Sequence, residues 1–253
     1  MARVLDLLIL AGTAILSVRL FAVGLHRRYR VFFFYLIFET VRSGVLVILG
    51  QKSDAYQKFW VLTEPFEWLF YVLVVLEIYA LVLQDYRGLS TVGRWALIAA
   101  VVLALLASGI SLMVPSQSPQ SQLMRYYYVA ERAVYFSLVV FLLTILGFLM
   151  QYPITLSRNI IVHSMVFSVY FLGYTVLYLL LSMLVLGKKT IPALAYAFDA
   201  GTLAALGAWL VMLNAAGELR KVRLRPDWMP GREEALVAQL NHLNAALLRA
   251  TRK

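Results

Sequence analysis

Long stretches without charge constrain this chain more than any other feature. From Arg3 to Gly217, apolar runs follow one another, separated by short polar connections. A helix of roughly 20 apolar residues spans the hydrocarbon core of a bilayer. Seven such runs are read at 3–25, 31–50, 59–83, 94–114, 126–150, 159–187 and 190–216. Lipid offers the backbone no hydrogen-bond partners, so runs of this length are helices. The alternating pattern of a membrane β-barrel is absent. Hydrophobic residues are 62% and charged residues 14% of the 253, against ~45–50% and ~25% in a soluble domain. That excess cannot be hidden in one water-soluble core, which excludes a soluble enzyme. The expected fold is an all-α integral membrane protein. It is a bundle of about seven transmembrane helices with a short C-terminal amphipathic helix.

Lys and Arg orient the bundle. The first, third and fifth connections carry Arg27, Arg28, Arg30, Arg87, Arg94 and Arg158; the others carry Lys52, Lys58, Arg125, Lys188 and Lys189. The loops barely decide. The ends do: Arg3 stands against Arg220, Lys221, Arg223, Arg225 and Arg232. The positive-inside rule then puts the N-terminus outside and the C-terminus in the cytoplasm, with a bacterial cytoplasmic (inner) membrane as the expected location. Arg3 followed by Val4 to Val18 has the look of a signal peptide. Asp6 interrupts that run and no small-x-small cleavage site is evident, so the reading is a retained first helix. Pro115 to Gln122 is polar and Pro-broken, a loop. Gly187-Lys188-Lys189-Thr190 is so tight that spans six and seven must be antiparallel neighbours.

The chain divides into a membrane domain, 1–217, and a basic tail, 218–253. Within the tail a helix is expected over 232–250, with Leu236, Leu240, Leu243 and Leu247 forming an a/d seam. The seam is shorter than the three to four heptads of a firm coiled coil. Two uses stay open: a contact to a second copy or a partner protein, and an amphipathic helix on the anionic inner leaflet. The net charge of +10 belongs to topology and lipid contact, not to nucleic acid. Zero cysteines exclude disulfides, thiolate metal sites and covalent haem attachment.

Ionisable side chains within a span cost about 2.5–3.5 kcal/mol each and are functional candidates by default. Seven fall in the outer half or near the midplane: Glu39, Arg42, Glu64, Glu67, Glu131, Arg132 and Asp199. Glu39 and Arg42 are three apart and can pair on one helix face. Glu131 and Arg132 are adjacent, point about 100° apart, and reach different neighbours. With five acids and two bases, carboxylates are left short of positive partners. In low dielectric such groups take up a proton or hold a cation. An acid-rich polar pocket facing outward is the expectation, with Tyr135, Tyr170 and Tyr174 as further lining candidates. For Tyr170, Tyr174 and Tyr178, a packed aromatic stripe is the competing reading.

Glu64 and Glu67 have a bland alternative. Thr63 to Glu67 could open span three, where Pro and acids are favoured; if the helix starts near Phe59, Pro65 instead kinks it and frees the Val61 carbonyl. Glu131 could sit at the interface behind a Tyr126–Tyr128 aromatic belt. Arg19 and Glu77, toward the inner ends of their spans, read as snorkelling or mutually paired. His163, the lone intramembrane histidine, reads as a hydrogen-bonded interior residue. All six lysines lie in connections or tail, which excludes a retinal Schiff base. No nucleotide-binding glycine motif occurs, and neither catalysis nor a cofactor is expected.

The layout fits a receptor-like or sensor-like bundle. It would bind a small cationic ligand or a proton in the outward pocket and signal through its tail. An ion-coupled transporter or channel is the first alternative. It is weakened by the lack of internal repeats and paired Gly/Pro-broken helices. A structural subunit whose polar residues stitch helices is the second.

Overall fold

The computed structural model describes residues 2–50, 53–84, 86–112, 122–152, 155–183, 190–222 and 230–250. The Pro115 to Ser121 loop, Pro153, Gly187-Lys188-Lys189, the basic residues Lys52, Arg223, Arg225, Arg252 and Lys253, and Pro226 lie outside them. So do the side chains of Arg87, Arg125, Tyr126 to Tyr128, Tyr178 and Arg232. The protein is all-α in its described spans. The helices are α1 (Ala2–Ala22), α2 (Arg30–Leu49), α3 (Asp54–Val82), α4 (Arg87–Leu112), α5 (Gln122–Gln151), α6 (Arg158–Met183), α7 (Thr190–Met212), α8 (Ala215–Leu219) and α9 (Pro230–Ala250).

Among the described residues, five helical stretches are long and apolar enough to cross a membrane. They are Arg3–Ala22, Arg30–Leu49, Asp54–Val82, Ala130–Phe148 and Arg158–Leu177. The apolar stretches described in α4 and α7, Gly93–Leu103 and Tyr196–Met212, are shorter. The outer surface is greasy: Ile48, Val169 and Val211 are 85%, 72% and 77% exposed. A water-facing surface would not carry such residues around the whole bundle, whereas hydrocarbon accepts them at no cost.

Local chemistry sets the helix ends. Gly24 (φ 78°) and Gly50 (φ 71°) hold left-handed backbone after α1 and α2, a conformation that penalises a Cβ. After Gly24 a short 3₁₀ turn, Leu25–Arg27, leads into α2. Ser53 caps α3, its hydroxyl accepting from the Tyr56 amide at 3.1 Å. The third helix therefore begins at Asp54 and not at 59, which gives it 29 residues. Pro65 lies inside it, and the reading of Glu64 and Glu67 as a first-turn pair is corrected: they are three turns in. Pro230 opens α9 at the position where its missing N–H costs nothing; the helix begins two residues before the expected Arg232.

Packing joins α1 to α2 and α7, α2 to α3, and α6 to α7. Helix α3 also touches α5 and α6, so α1, α2, α3, α5, α6 and α7 surround a common interior. Helix α4 packs on the outside of α5, and α9 packs on α4. The core is a column of buried aromatic and aliphatic side chains, among them Phe32, Leu36, Tyr71, Val75, Leu138, Phe167 and Phe171. Of the leucine seam, Leu240 is buried within this chain, Leu236 and Leu247 are half-buried and Leu243 is exposed.

Two residues from each side form an antiparallel pair between β1 (Leu156–Ser157) and β2 (Lys221–Val222). The pairing ties the tail to the start of α6. The domain boundary drawn at Gly217 falls inside α8. There, Asn159 donates to the Asn214 carbonyl (2.7 Å) and to Glu218 (3.3 Å), and Arg28 pairs with Glu218 at 2.6 Å. A Cβ on Gly217 would run into the Asn159 side chain, so glycine is what lets α8 sit against α6.

Two expectations at this end are overturned. Arg19 and Glu77 neither pair with each other nor simply snorkel. Arg19 donates to the Leu213 carbonyl at the end of α7 (3.1 Å). Glu77 accepts from the Val31 and Phe32 amides at the start of α2 (2.9 and 3.1 Å). Each satisfies orphan backbone groups and matches the sign of the helix dipole it meets.

Candidate functional site

Arg42 is the centre from which the site is built. It is 6% exposed, and its guanidinium reaches three carboxylates. Glu39, one turn back on α2, lies 3.3 Å away; Glu64 and Glu67 on α3 are in direct ion-paired contact. Its Nε donates to Thr63 Oγ1 at 3.0 Å. The five N–H groups of arginine form a planar fork, which is what allows one cation to serve several oxygens. Ser43 donates to the second oxygen of Glu39 at 3.0 Å. Tyr71 donates to Glu67. Its hydroxyl also accepts from Tyr35 (3.3 Å) and meets that of Tyr170 (3.0 Å).

The network stands beside a cavity of about 210 Å³ that six helices line. Asp6 and Thr13 come from α1, Glu39 and Arg42 from α2, and Tyr56, Trp60, Glu64 and Glu67 from α3. Helices α5, α6 and α7 supply Glu131 and Tyr135, Tyr170 and Tyr174, and Asp199 and Thr202. All the charged groups come from the same half of the bundle, opposite the Arg28–Glu218 end. Six carboxyl groups thus line one space, and Arg42 is the one basic residue among its described lining. Glu131 is 1% exposed. No group of three or more His, Asp or Glu among the described residues is spaced to hold a metal ion.

Nine of the ten ligand-binding candidates named from the sequence line this cavity; Arg132 does not. Neighbouring residues on a helix point about 100° apart. Glu131 takes the inward direction, leaving Arg132 half-buried elsewhere on α5. The charge imbalance is therefore larger than one arginine for each of two groups of acids. Asp6, read only as an interruption of an apolar run, joins the lining from α1. Its charge inside that run was the signal that marked it.

The Tyr178 side chain lies outside the described ones, and Tyr135, Tyr170 and Tyr174 both pack as rings and line the cavity. Their rings pack: Tyr71 and Tyr135 centroids are 5.6 Å apart, Tyr135 and Tyr174 5.3 Å, Tyr170 and Tyr174 4.5 Å. They also line the cavity, with Tyr174 donating to the Phe198 carbonyl (3.2 Å) and bonded to Thr202. His163 corrects an expectation. It is fully buried, and neither ring nitrogen has a hydrogen-bond partner among the described residues. Aromatic rings of Tyr29, Phe32, Phe167 and Trp209 enclose it at 4.4–5.9 Å.

Neither protein-family models, nor curated proteins, nor solved structures match this chain. The functional reading therefore rests on the geometry of the cavity.

Proposed function

We infer that the chain is a receptor-like or sensor-like seven-helix protein of the cytoplasmic membrane, binding a small cation in this cavity. Its N-terminus lies outside and its C-terminus in the cytoplasm. The observation that carries the reading is the lining itself: six carboxyl groups to one guanidinium around one shared space. Desolvated carboxyl groups at that density are stabilised by a bound positive charge. Tyr56, Trp60 and Tyr135 are among the lining residues, and aromatic rings attract ammonium groups. That combination favours an organic ammonium over a bare metal ion.

The same helices carry the bound state to the tail. Helices α1, α2, α6 and α7 contribute lining residues near one end. At the other end the segment from Leu213 to Glu218 is held by Arg19, Arg28, Tyr29 and Asn159. A ligand that draws α7 toward α2 and α3 would shift the segment leading into the basic tail. Allostery requires that the two states differ in their contacts to the ligand, and Asp199 on α7 supplies that difference.

The test is thermal unfolding of the protein in lipid nanodiscs with tetramethylammonium chloride against sodium chloride at equal ionic strength. Wild type should be stabilised by tetramethylammonium, with Glu39→Gln and Asp199→Asn each losing the response. An unchanged response in both variants ends the reading. One observation favours a transporter as a second reading: Pro65 lies inside α3 between Glu64 and Glu67, where its missing N–H leaves the Val61 carbonyl without a helical donor beside the acidic groups. Tetramethylammonium uptake into proteoliposomes would support it over a sensor.

A further inference from the structure

The end of the bundle away from the acidic cavity carries a pocket of its own. A space of about 590 Å³ lies between the turn after α1, the last turn of α3 and α8. Carbon and guanidinium share its walls: Val23, Leu81 and Leu219 supply the first, Arg27 and Arg28 the second. Leu219, closing α8, is 86% exposed. Val23 directly follows the apolar span Arg3–Ala22, and Leu81 is the last residue but one of the span Asp54–Val82. Two spans thus end at this pocket, which sets it at the depth where hydrocarbon gives way to headgroups.

One acid, Glu218, belongs to the same wall, and both of its oxygens are taken. One pairs with Arg28 at 2.6 Å. The other accepts from Tyr29 at 2.8 Å and from Asn159 at 3.3 Å. Its charge is satisfied inside the junction, together with that of Arg28. Arg27 is exposed, and among the described residues no acid pairs with it. The pocket therefore keeps a positive charge. Arg30, Arg220 and Lys221, all exposed, flank it in the chain with the same sign.

We propose that this pocket binds the headgroup of an anionic phospholipid, its phosphate at Arg27 and Arg28 and its glycerol and first acyl carbons against Val23, Leu81 and Leu219. A guanidinium can give two parallel N–H donors to a phosphate, and basic pockets between spans hold such headgroups. In the orientation proposed above, this end meets the leaflet whose surface is negative. The carbon wall selects a lipid over a free anion, because an exposed leucine gains from leaving water and inorganic phosphate covers no carbon. Since Arg28 also holds Glu218, the bound lipid braces the junction that fixes α8. Nothing here uses the acidic cavity, so the proposal stands or falls apart from the cation reading.

The experiment is thermal unfolding of the full chain in nanodiscs of phosphatidylcholine and of phosphatidylglycerol at one ionic strength. For each protein the reading is the difference in midpoint between the two lipids, so a variant's own change in stability cancels. Wild type should unfold at a higher temperature in phosphatidylglycerol. Arg27→Gln, at an exposed position without an ion pair, should lose at least half of that gain. Arg94→Gln removes the same charge from α4, outside this pocket, and should keep the gain. Equal losses in the two variants would mean diffuse attraction to the surface and overturn the site. A wild type indifferent to the lipid, or an Arg27→Gln protein with the full gain, overturns it as well. In a third arm, inorganic phosphate is added to wild type in phosphatidylcholine and should do little. Phosphate that reproduces the phosphatidylglycerol gain overturns the lipid in favour of a free anion.

Discussion

Arg42 decides whether the acidic network can exist. Glu64 and Glu67 are 3% and 8% exposed, and both face the same guanidinium as Glu39. Removing one partner of a buried ion pair leaves uncompensated charge and costs about 3–5 kcal/mol. Arg42→Met should therefore lower the unfolding free energy by that amount in an SDS titration from mixed micelles. Arg42→Lys should fall between the two, because an ammonium on a flexible stem cannot present the planar fork. An Arg42→Met protein as stable as wild type would contradict the assignment of Arg42 as the hub. The sequence showed the Glu39–Arg42 pair, since three residues is less than one helical turn. It did not show that Glu64 and Glu67 converge on the same cation. That depends on how α2 rotates against α3, which no local spacing encodes. Glu131 lines the cavity and Arg132 does not, because only one of two adjacent directions on a helix can face inward.

At the scale of elements, the tail is held by a small polar junction. Tyr29, just before α2, is 1% exposed and donates to Glu218 of α8 at 2.8 Å. Burial, and next the neighbouring carboxylate, push its hydroxyl well above the ordinary phenol range. The folded state therefore holds this proton more tightly than the unfolded chain does. The contribution is fully present below the unfolded value of about 10 and is lost as pH rises through the folded one. Stability in nanodiscs should thus decline above about pH 10 through this group, and Tyr29→Phe should flatten part of that slope. Identical slopes in the two proteins would show that the hydroxyl does not set it. The junction was invisible beforehand because it joins three distant segments, at Tyr29, at Asn159 and at Asn214 to Glu218, whose residues are individually ordinary. The helix start at Asp54 was missed for a smaller reason. A serine cap and one polar turn precede the apolar stretch, and hydropathy alone begins counting too late.

For the whole molecule, the polar cavity and the polar junction sit at opposite ends of one bundle. The orientation that the basic residues imply puts the cavity outside. The absence of cysteine makes a single introduced thiol a clean reporter. Ala55→Cys, at the cavity end, should react with a membrane-impermeant maleimide in intact cells. Gln84→Cys, at the other, should react only after permeabilisation. The reverse pattern would invert the topology and turn the cavity to the cytoplasm. The α9 leucines were read as a seam for a second copy or for the inner leaflet. The structure places the helix on α4 of its own chain and buries Leu240, a third use that an isolated heptad cannot distinguish from the other two.

What followed from sequence alone was the class of solvent and the regular structure it imposes. Apolar length and the bilayer's refusal of unbonded backbone leave helices as the answer for the described spans. Charge inside those spans marked the ionisable residues of the cavity, because a buried ion is too costly to be incidental. Tertiary structure decided how the marked residues meet: three glutamates on one arginine and six carboxyl groups on one space. Each of these depends on the rotation of one helix against another. Rotation is set by side chains packing across distances in the chain that periodicity does not see.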